Sequence, residues 1–128
     1  MPYTLEVSHE FCAAHALTIS GAHEPVHGHN FRVLATVAGD ELDDDGLLCD
    51  FHTVHGVLVE ICEPLNNVDL NAVDPFTSLN PTAEHIARYI ADELAERLDA
   101  SLADAAHVES VSVTEAAGCR AVYSRPRP

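Results

Sequence analysis

Pro25 and Gly28 decide what the run His23-Glu24-Pro25-Val26-His27-Gly28-His29-Asn30-Phe31 can fold into. Read as His23-Glu24-x-x-His27, the run is a zincin protease signature, which needs both imidazoles one turn apart on a helix. Pro25 sits inside that turn, where it removes a backbone donor and clashes with the carbonyl four residues back. That costs about 3 kcal/mol or more. Gly28 follows at once. The sequence therefore predicts an extended segment, and on a strand residues two apart share a face. His27 and His29 then point the same way.

The flanking periodicity agrees. Tyr3, Leu5, Val7, His9, Phe11, Ala13 and His15 alternate onto one face of a first strand, and His27, His29, Phe31, Val33, Ala35 and Val37 onto one face of a second. A polar loop, Gly39 to Gly46, comes next. Asp50 is placed to cap a helix running to about Glu63, with Val54, Val57, Leu58 and Ile61 as its apolar stripe and Pro64 ending it. Asn66 to Leu79 reads as irregular. Asn80 as cap and Pro81 as first residue predict a second helix to about Asp99. Val108 to Glu115 and Cys119 to Tyr123 form a hairpin through Ala116-Ala117-Gly118. The order β-β-α-α-β-β predicts an α+β layer, an antiparallel four-stranded sheet with both helices on one face. Residues 1–124 form one domain, and 125–128 a loose tail.

Charge narrows the function. There are 21 acidic residues, six arginines and no lysine, for a net charge of −15. Such a chain repels nucleic acid and anionic membranes, so neither is an expected partner. A halophilic or a GC-rich source would each give this composition. A polyphosphate would find few cations, with Arg32 and Arg88 the candidates near the motifs. No apolar run reaches membrane length. The opening Met1-Pro2-Tyr3-Thr4 lacks the regions of a signal peptide, so a cytoplasmic protein is expected. Cys12, Cys49, Cys62 and Cys119 show no metal-finger spacing and are expected as buried thiols.

An isolated histidine is ordinarily a surface or core residue. A His-x-His pair on a strand, with a third histidine on the partner strand, is different. Zinc accepts three imidazole nitrogens and keeps a fourth position open in catalytic sites. His15 ends the first strand on its inward face and is the expected third ligand; His9 lies further up. His52, His55, His85 and His107 are expected at exposed positions. A cupin would need a glutamate shortly after His-x-His, and Asn30 to Leu34 supplies none.

Five pieces recur in order along the chain: Phe11-Cys12-Ala13-Ala14-His15, His27-Gly28-His29-Asn30-Phe31, Cys49-Asp50-Phe51, Asn80-Pro81-Thr82-Ala83-Glu84 and Thr114-Glu115. Together they resemble the family of 6-pyruvoyl- and 6-carboxy-tetrahydropterin synthases, across nearly the whole chain. The resemblance implies the tunnelling fold, trimers whose sheets close into a barrel, often stacked as hexamers, and active sites at subunit interfaces. It implies Zn2+ held by His15, His27 and His29. It also implies a pterin substrate, anchored by Glu115 with Thr82 as a further substrate-binding residue. A carboxylate can accept two hydrogen bonds from the amino and ring N–H groups of a pterin.

The chain departs from that family's machinery. His23 stands where the carboxy-forming branch has a cysteine, and Asn66-Asn67 stands where an Asp-His pair is expected. An asparagine cannot relay a proton, and such a pair is typically worth about 100- to 10,000-fold in rate. Glu24 is the candidate substitute. Glu24-Pro25-Val26-His27-Gly28-His29 has the form of a branch that cleaves the dihydroneopterin triphosphate side chain to leave a hydroxymethyl-pterin. Glu24 and His23 are therefore the candidate catalytic residues of a variant lyase-type reaction. Two alternatives stay open: an inactive pterin- or purine-binding protein, and a three-His zinc hydrolase.

Overall fold

The computed structural model describes residues 1–102 and 106–126. Two 13-residue strands dominate it, β1 (Tyr3–His15) and β4 (His27–Gly39). They pair antiparallel from Tyr3 opposite Gly39 to His15 opposite His27. The predicted alternation holds: Leu5, Val7, Phe11, Ala13 and His15 are buried on β1, as are Phe31, Val33, Ala35 and Val37 on β4.

Between them lies a hairpin that the periodicity did not reveal, β2 (Thr18–Ile19) and β3 (Ala22–His23). Ser20 and Gly21 form its two-residue loop with φ of 52° and 80°. A two-residue loop with both φ positive matches the twist of antiparallel strands. It lifts His23 and Glu24 out of the main sheet and returns the chain to His27.

Helix α1 (Phe51–Cys62) starts where expected, with the Asp50 carboxylate accepting the His52 N–H at 2.8 Å. Val54, Leu58, Ile61 and Cys62 face the core. A 3-10 turn, Glu63–Leu65, carries Pro64 and closes the helix. The stretch read as irregular then adds a short strand, β5 (Val68–Asp69), and a second 3-10 turn, Leu70–Ala72. β5 pairs parallel with β1 at Ala13 and Ala14. The sheet thus has five strands, four of them long, instead of the expected four.

Helix α2 spans Ala83–Leu98. Its cap is Thr82, whose hydroxyl accepts the His85 N–H at 3.1 Å. Asn80 and Pro81 precede the helix, which corrects the expected start. Ile86, Ala87, Ile90, Ala91, Leu94 and Leu98 are buried. Each fully buried aliphatic side chain of this size contributes about 1.5–3 kcal/mol relative to exposure.

β6 (Ala106–Ala116) and β7 (Cys119–Ser124) complete the sheet in the order β5-β1-β4-β6-β7. The register slips between Thr36 and Val37, because Thr36 faces Ser110 while Val37 faces Val108. Glu109 is therefore the extra residue of a bulge, and Val108 fills the core in its place. Both helices pack on the same face of the sheet. His107, expected exposed, is buried opposite Ala38 with 6% of its surface accessible. Of the cysteines only Cys62 is buried; Cys49 is half-buried, Cys12 and Cys119 are exposed, and all four are free thiols. The expected tail begins tied down: Arg125 donates to Asp99 at 2.9 Å and to the Val108 carbonyl at 2.8 Å. Residues 127 and 128 lie outside the described part. No helix among the described residues is long and apolar enough to cross a membrane.

Candidate metal centre

The register of β1 and β4 builds the centre. His15 faces His27 across the ladder, and His29 sits two pairs further in, opposite Ala13. All three rings lie on the helix-covered face. Their centroids are 4.7, 5.1 and 4.8 Å apart, edge to face. One ring nitrogen from each lies within 4.8 Å of the other two. Small side-chain rotations bring such a set to about 2.0–2.1 Å from one ion. Phe31 forms the floor, 5.3 Å from the His15 ring and 5.4 Å from that of His29.

Exposure grades across the triad. The side chain of His15 is fully buried, that of His29 is 20% exposed and that of His27 is 40% exposed. The open side is therefore at His27. Two of the three rings, the most buried and the most exposed, have Nδ1 aimed by a carbonyl. His15 Nδ1 lies 2.8 Å from the Pro81 oxygen and His27 Nδ1 lies 2.9 Å from the Pro25 oxygen. Those bonds place the proton on Nδ1 and leave Nε2 as the donor atom. The Nε2 atoms of His15 and His29 are buried with no hydrogen-bond partner. A buried polar atom without a partner is costly, of order 1–3 kcal/mol. A cation at the centre of the triad would satisfy both, so the donor set fits a zinc-type ion.

Burial, first of all, pushes the His29 pKa below the ordinary histidine value; Glu115 opposes it, and His15 and His27 add to it. A depressed pKa keeps the imidazole neutral, the form that binds metal.

Two carboxylates stand against the triad. Glu115 Oε1 lies 3.2 Å from His15 Nε2 and 3.8 Å from His29 Nε2. It ends the row Val111, Val113, Glu115 on β6, and it also lines an open cavity of about 350 Å³ with Ala83, Glu84, Cys119 and Arg120. Glu24 Oε1 accepts the Leu17 N–H at 2.9 Å and lies 3.7 Å from His27 Nε2. His23, its neighbour in sequence, turns the other way, with Nδ1 2.8 Å from Thr18 Oγ1. Thr82 uses its hydroxyl as the α2 cap.

Two asparagines, Asn71 and the expected cap Asn80, hold the strand-to-hairpin connection. The Asn71 amide makes two bonds with the backbone of Ala16, at 2.8 and 2.9 Å. The Asn80 amide makes two with Thr18, both at 3.0 Å. The Asn66 amide oxygen accepts the Cys12 N–H at 3.0 Å. Asn67, at φ 58°, returns its own N–H to the Cys12 carbonyl. Asparagine is among the residues that tolerate this left-handed conformation.

Residues 4–126 match the 6-pyruvoyl tetrahydropterin synthase family. This chain belongs to that family. Among its relatives, the 6-carboxy-5,6,7,8-tetrahydropterin synthase of Bacillus subtilis is 39% identical over 106 residues, covering 77% of this chain and 70% of that protein. A putative 6-carboxy-5,6,7,8-tetrahydropterin synthase of Archaeoglobus fulgidus is 31% identical over 91 residues, 71% and 75% of the two chains. The structure of the Caenorhabditis elegans 6-pyruvoyl tetrahydropterin synthase superposes with a TM-score of 0.83 at 20% identity, over 97% of this chain and 96% of that one. The Plasmodium falciparum structure gives 0.73 at 24% identity, over 95% and 98%. A Plasmodium vivax synthase carrying a glutamate-to-alanine change at a catalytic residue gives 0.74 at 20%, over 96% and 98%. The expected family and α+β fold are thereby established.

Proposed function

We propose that this chain is a zinc-dependent, lyase-type enzyme acting on the side chain of a reduced pterin. One observation carries the reading: three imidazoles converge at the open end of β1 and β4, with the Glu115 carboxylate 3.2 Å from the innermost ring. A metal centre and a ring anchor thus share one face of the sheet. The names of the relatives, all tetrahydropterin synthases, support the substrate class.

His15, His27 and His29 would hold the ion, which when bound supplies Lewis-acid polarisation of a substrate hydroxyl. Glu115 accepts the paired N–H groups of the pterin and fixes the ring. Its cavity lies beside the first turn of α2, where Thr82 can donate its remaining O–H to the ring. Glu24, at the open side of the triad, takes the proton of the side-chain hydroxyl. Its Oε1 is pinned by Leu17, leaving Oε2 for the proton. His23, hydrogen-bonded through Nδ1 to Thr18 and turned from the triad, is a candidate partner of Glu24 only as its neighbour in the sequence. The P. vivax synthase has a catalytic glutamate, which is in keeping with a carboxylate base.

We place the assembly as a trimer or hexamer with sites between subunits. The outer edge of β7 and the edge of β1 ahead of Ala13 have no partner strand among the described residues. Open edges of that length are normally paired or covered.

A second reading has its own observation. Asn66 and Asn67, where the family resemblance expects Asp-His, are occupied with the Cys12 backbone. That favours a pterin-binding protein without turnover. Incubation of the zinc-loaded protein with 7,8-dihydroneopterin and its triphosphate separates the two. Product that disappears in Glu24→Gln supports the enzyme. Tight binding with no product supports the binder. Neither binding nor product overturns both.

A further inference from the structure

We propose that the site selects a pterin whose side chain is an uncharged polyol over one that carries phosphate. This rests on the pterin reading above and specifies its substrate. The observation is where the cations are. The chain has six arginines and no lysine. Arg32 is held by Glu10 at 3.6 Å, Arg88 by Asp92 at 3.7 Å, Arg97 by Glu93 at 3.4 Å and Arg125 by Asp99 at 2.9 Å. The two candidates for gripping a polyphosphate, Arg32 and Arg88, are thus already paired. Arg127 lies outside the described residues.

Arg120 alone among the described arginines has no carboxylate within 4.0 Å. It lines the cavity of Glu115, and Glu84 lines that cavity too. Glu24 adds a further carboxylate at the other side of the triad. Among the described residues, the +2 of a bound ion and the one guanidinium are therefore balanced by three carboxylates. A single phosphate ester brings about −1.5 to −2, and a triphosphate brings more, against a chain of net charge −15. A second subunit closing the site carries the same arginines and the same surplus of acid. A chain of hydroxyls brings no charge and meets no such opposition.

The chemistry closes without a phosphate leaving group. Glu24 takes the proton from the hydroxyl on the second side-chain carbon. That oxygen becomes a carbonyl as the bond between the first and second side-chain carbons breaks. The electron pair passes into the C=N bond of the dihydropterin ring. The first carbon then regains a proton, giving a hydroxymethyl-dihydropterin and a small hydroxyaldehyde. No oxidant or reductant is consumed.

The test is a fluorescence titration of the zinc-loaded protein with 7,8-dihydroneopterin and with its triphosphate, at low and at high potassium chloride, with metal content checked afterwards. At low salt the neutral pterin should bind at least roughly tenfold more tightly. The gap should narrow as salt shortens the screening length from about 10 Å at 0.1 M to about 3 Å at 1 M. Equal or tighter binding of the triphosphate at low salt overturns the selectivity and leaves the pterin reading intact. Binding of neither overturns the selectivity together with that reading.

Discussion

His15 Nδ1 lies 2.8 Å from the carbonyl oxygen of Pro81, 66 residues further along the chain. That bond joins the end of β1 to the entrance of α2 and aims His15 Nε2 at the triad. It gives the Asn80-Pro81-Thr82 turn a role in the candidate metal centre as well as in starting a helix.

The triad should account for the bound metal. Zinc-loaded protein should hold one ion per chain by elemental analysis after gel filtration. His29→Ala should remove stoichiometric binding, while His52→Ala, on the exposed side of α1, should leave it unchanged. Retention of a full equivalent in His29→Ala would put the ion elsewhere.

Glu115 is assigned to the pterin and not to the ion. Glu115→Gln should weaken pterin binding by about 1.5–3 kcal/mol, the worth of hydrogen bonds to a charged group. Metal content should be unaltered. A loss of metal in this variant would show that its 3.2 Å approach to His15 is a ligand contact instead.

Acid should release the metal. In the folded protein the His29 pKa is depressed, chiefly by burial. The unfolded value is about 6.5. Between that value and the lower folded one, the unfolded chain binds a proton that the folded chain does not. The stability contributed by a neutral His29 is therefore full above about pH 6.5 and is lost as pH falls through the folded pKa. Zinc affinity follows the same sign, because the ligands must be neutral. Competition with a chelator from pH 8 to 5 should show affinity falling with acidity, and a flat profile would contradict the assignment.

The floor of the centre should matter to both fold and site. Phe31 is fully buried, stacked 5.2 Å from Phe11 and in edge contact with two triad rings. Phe31→Ala should cost about 3–5 kcal/mol by denaturant titration. Phe31→Leu should keep most of the stability and weaken zinc more than it weakens the fold.

Some of this was legible in the residue order. Alternation alone placed His15, His27 and His29 on one face, because a strand has a strict period of two. The Asp50 cap was also readable. The start of α2 was not, because Asn80 and Thr82 are both good caps, and what decides between them is that the Asn80 amide is taken by Thr18, 62 residues away. β5 was hidden for a similar reason: two residues carry no period, and their partner is the distant β1. His107 was misplaced because β6 begins at Ala106, two residues before the expected start at Val108, so His107 lies within the sheet opposite Ala38. The approach of Glu115 to His15 depends on how β6 lies beside β4, a register no local pattern encodes.

The central claim is a three-imidazole ion that meets the pterin side chain. Zinc K-edge X-ray absorption of the loaded protein, with and without 7,8-dihydroneopterin, tests it most directly. The account predicts three imidazole nitrogens at about 2.0–2.1 Å, with the remaining light-atom shell changing when the pterin is added. Fewer than three imidazoles, a sulfur ligand, or a shell indifferent to saturating pterin would contradict it.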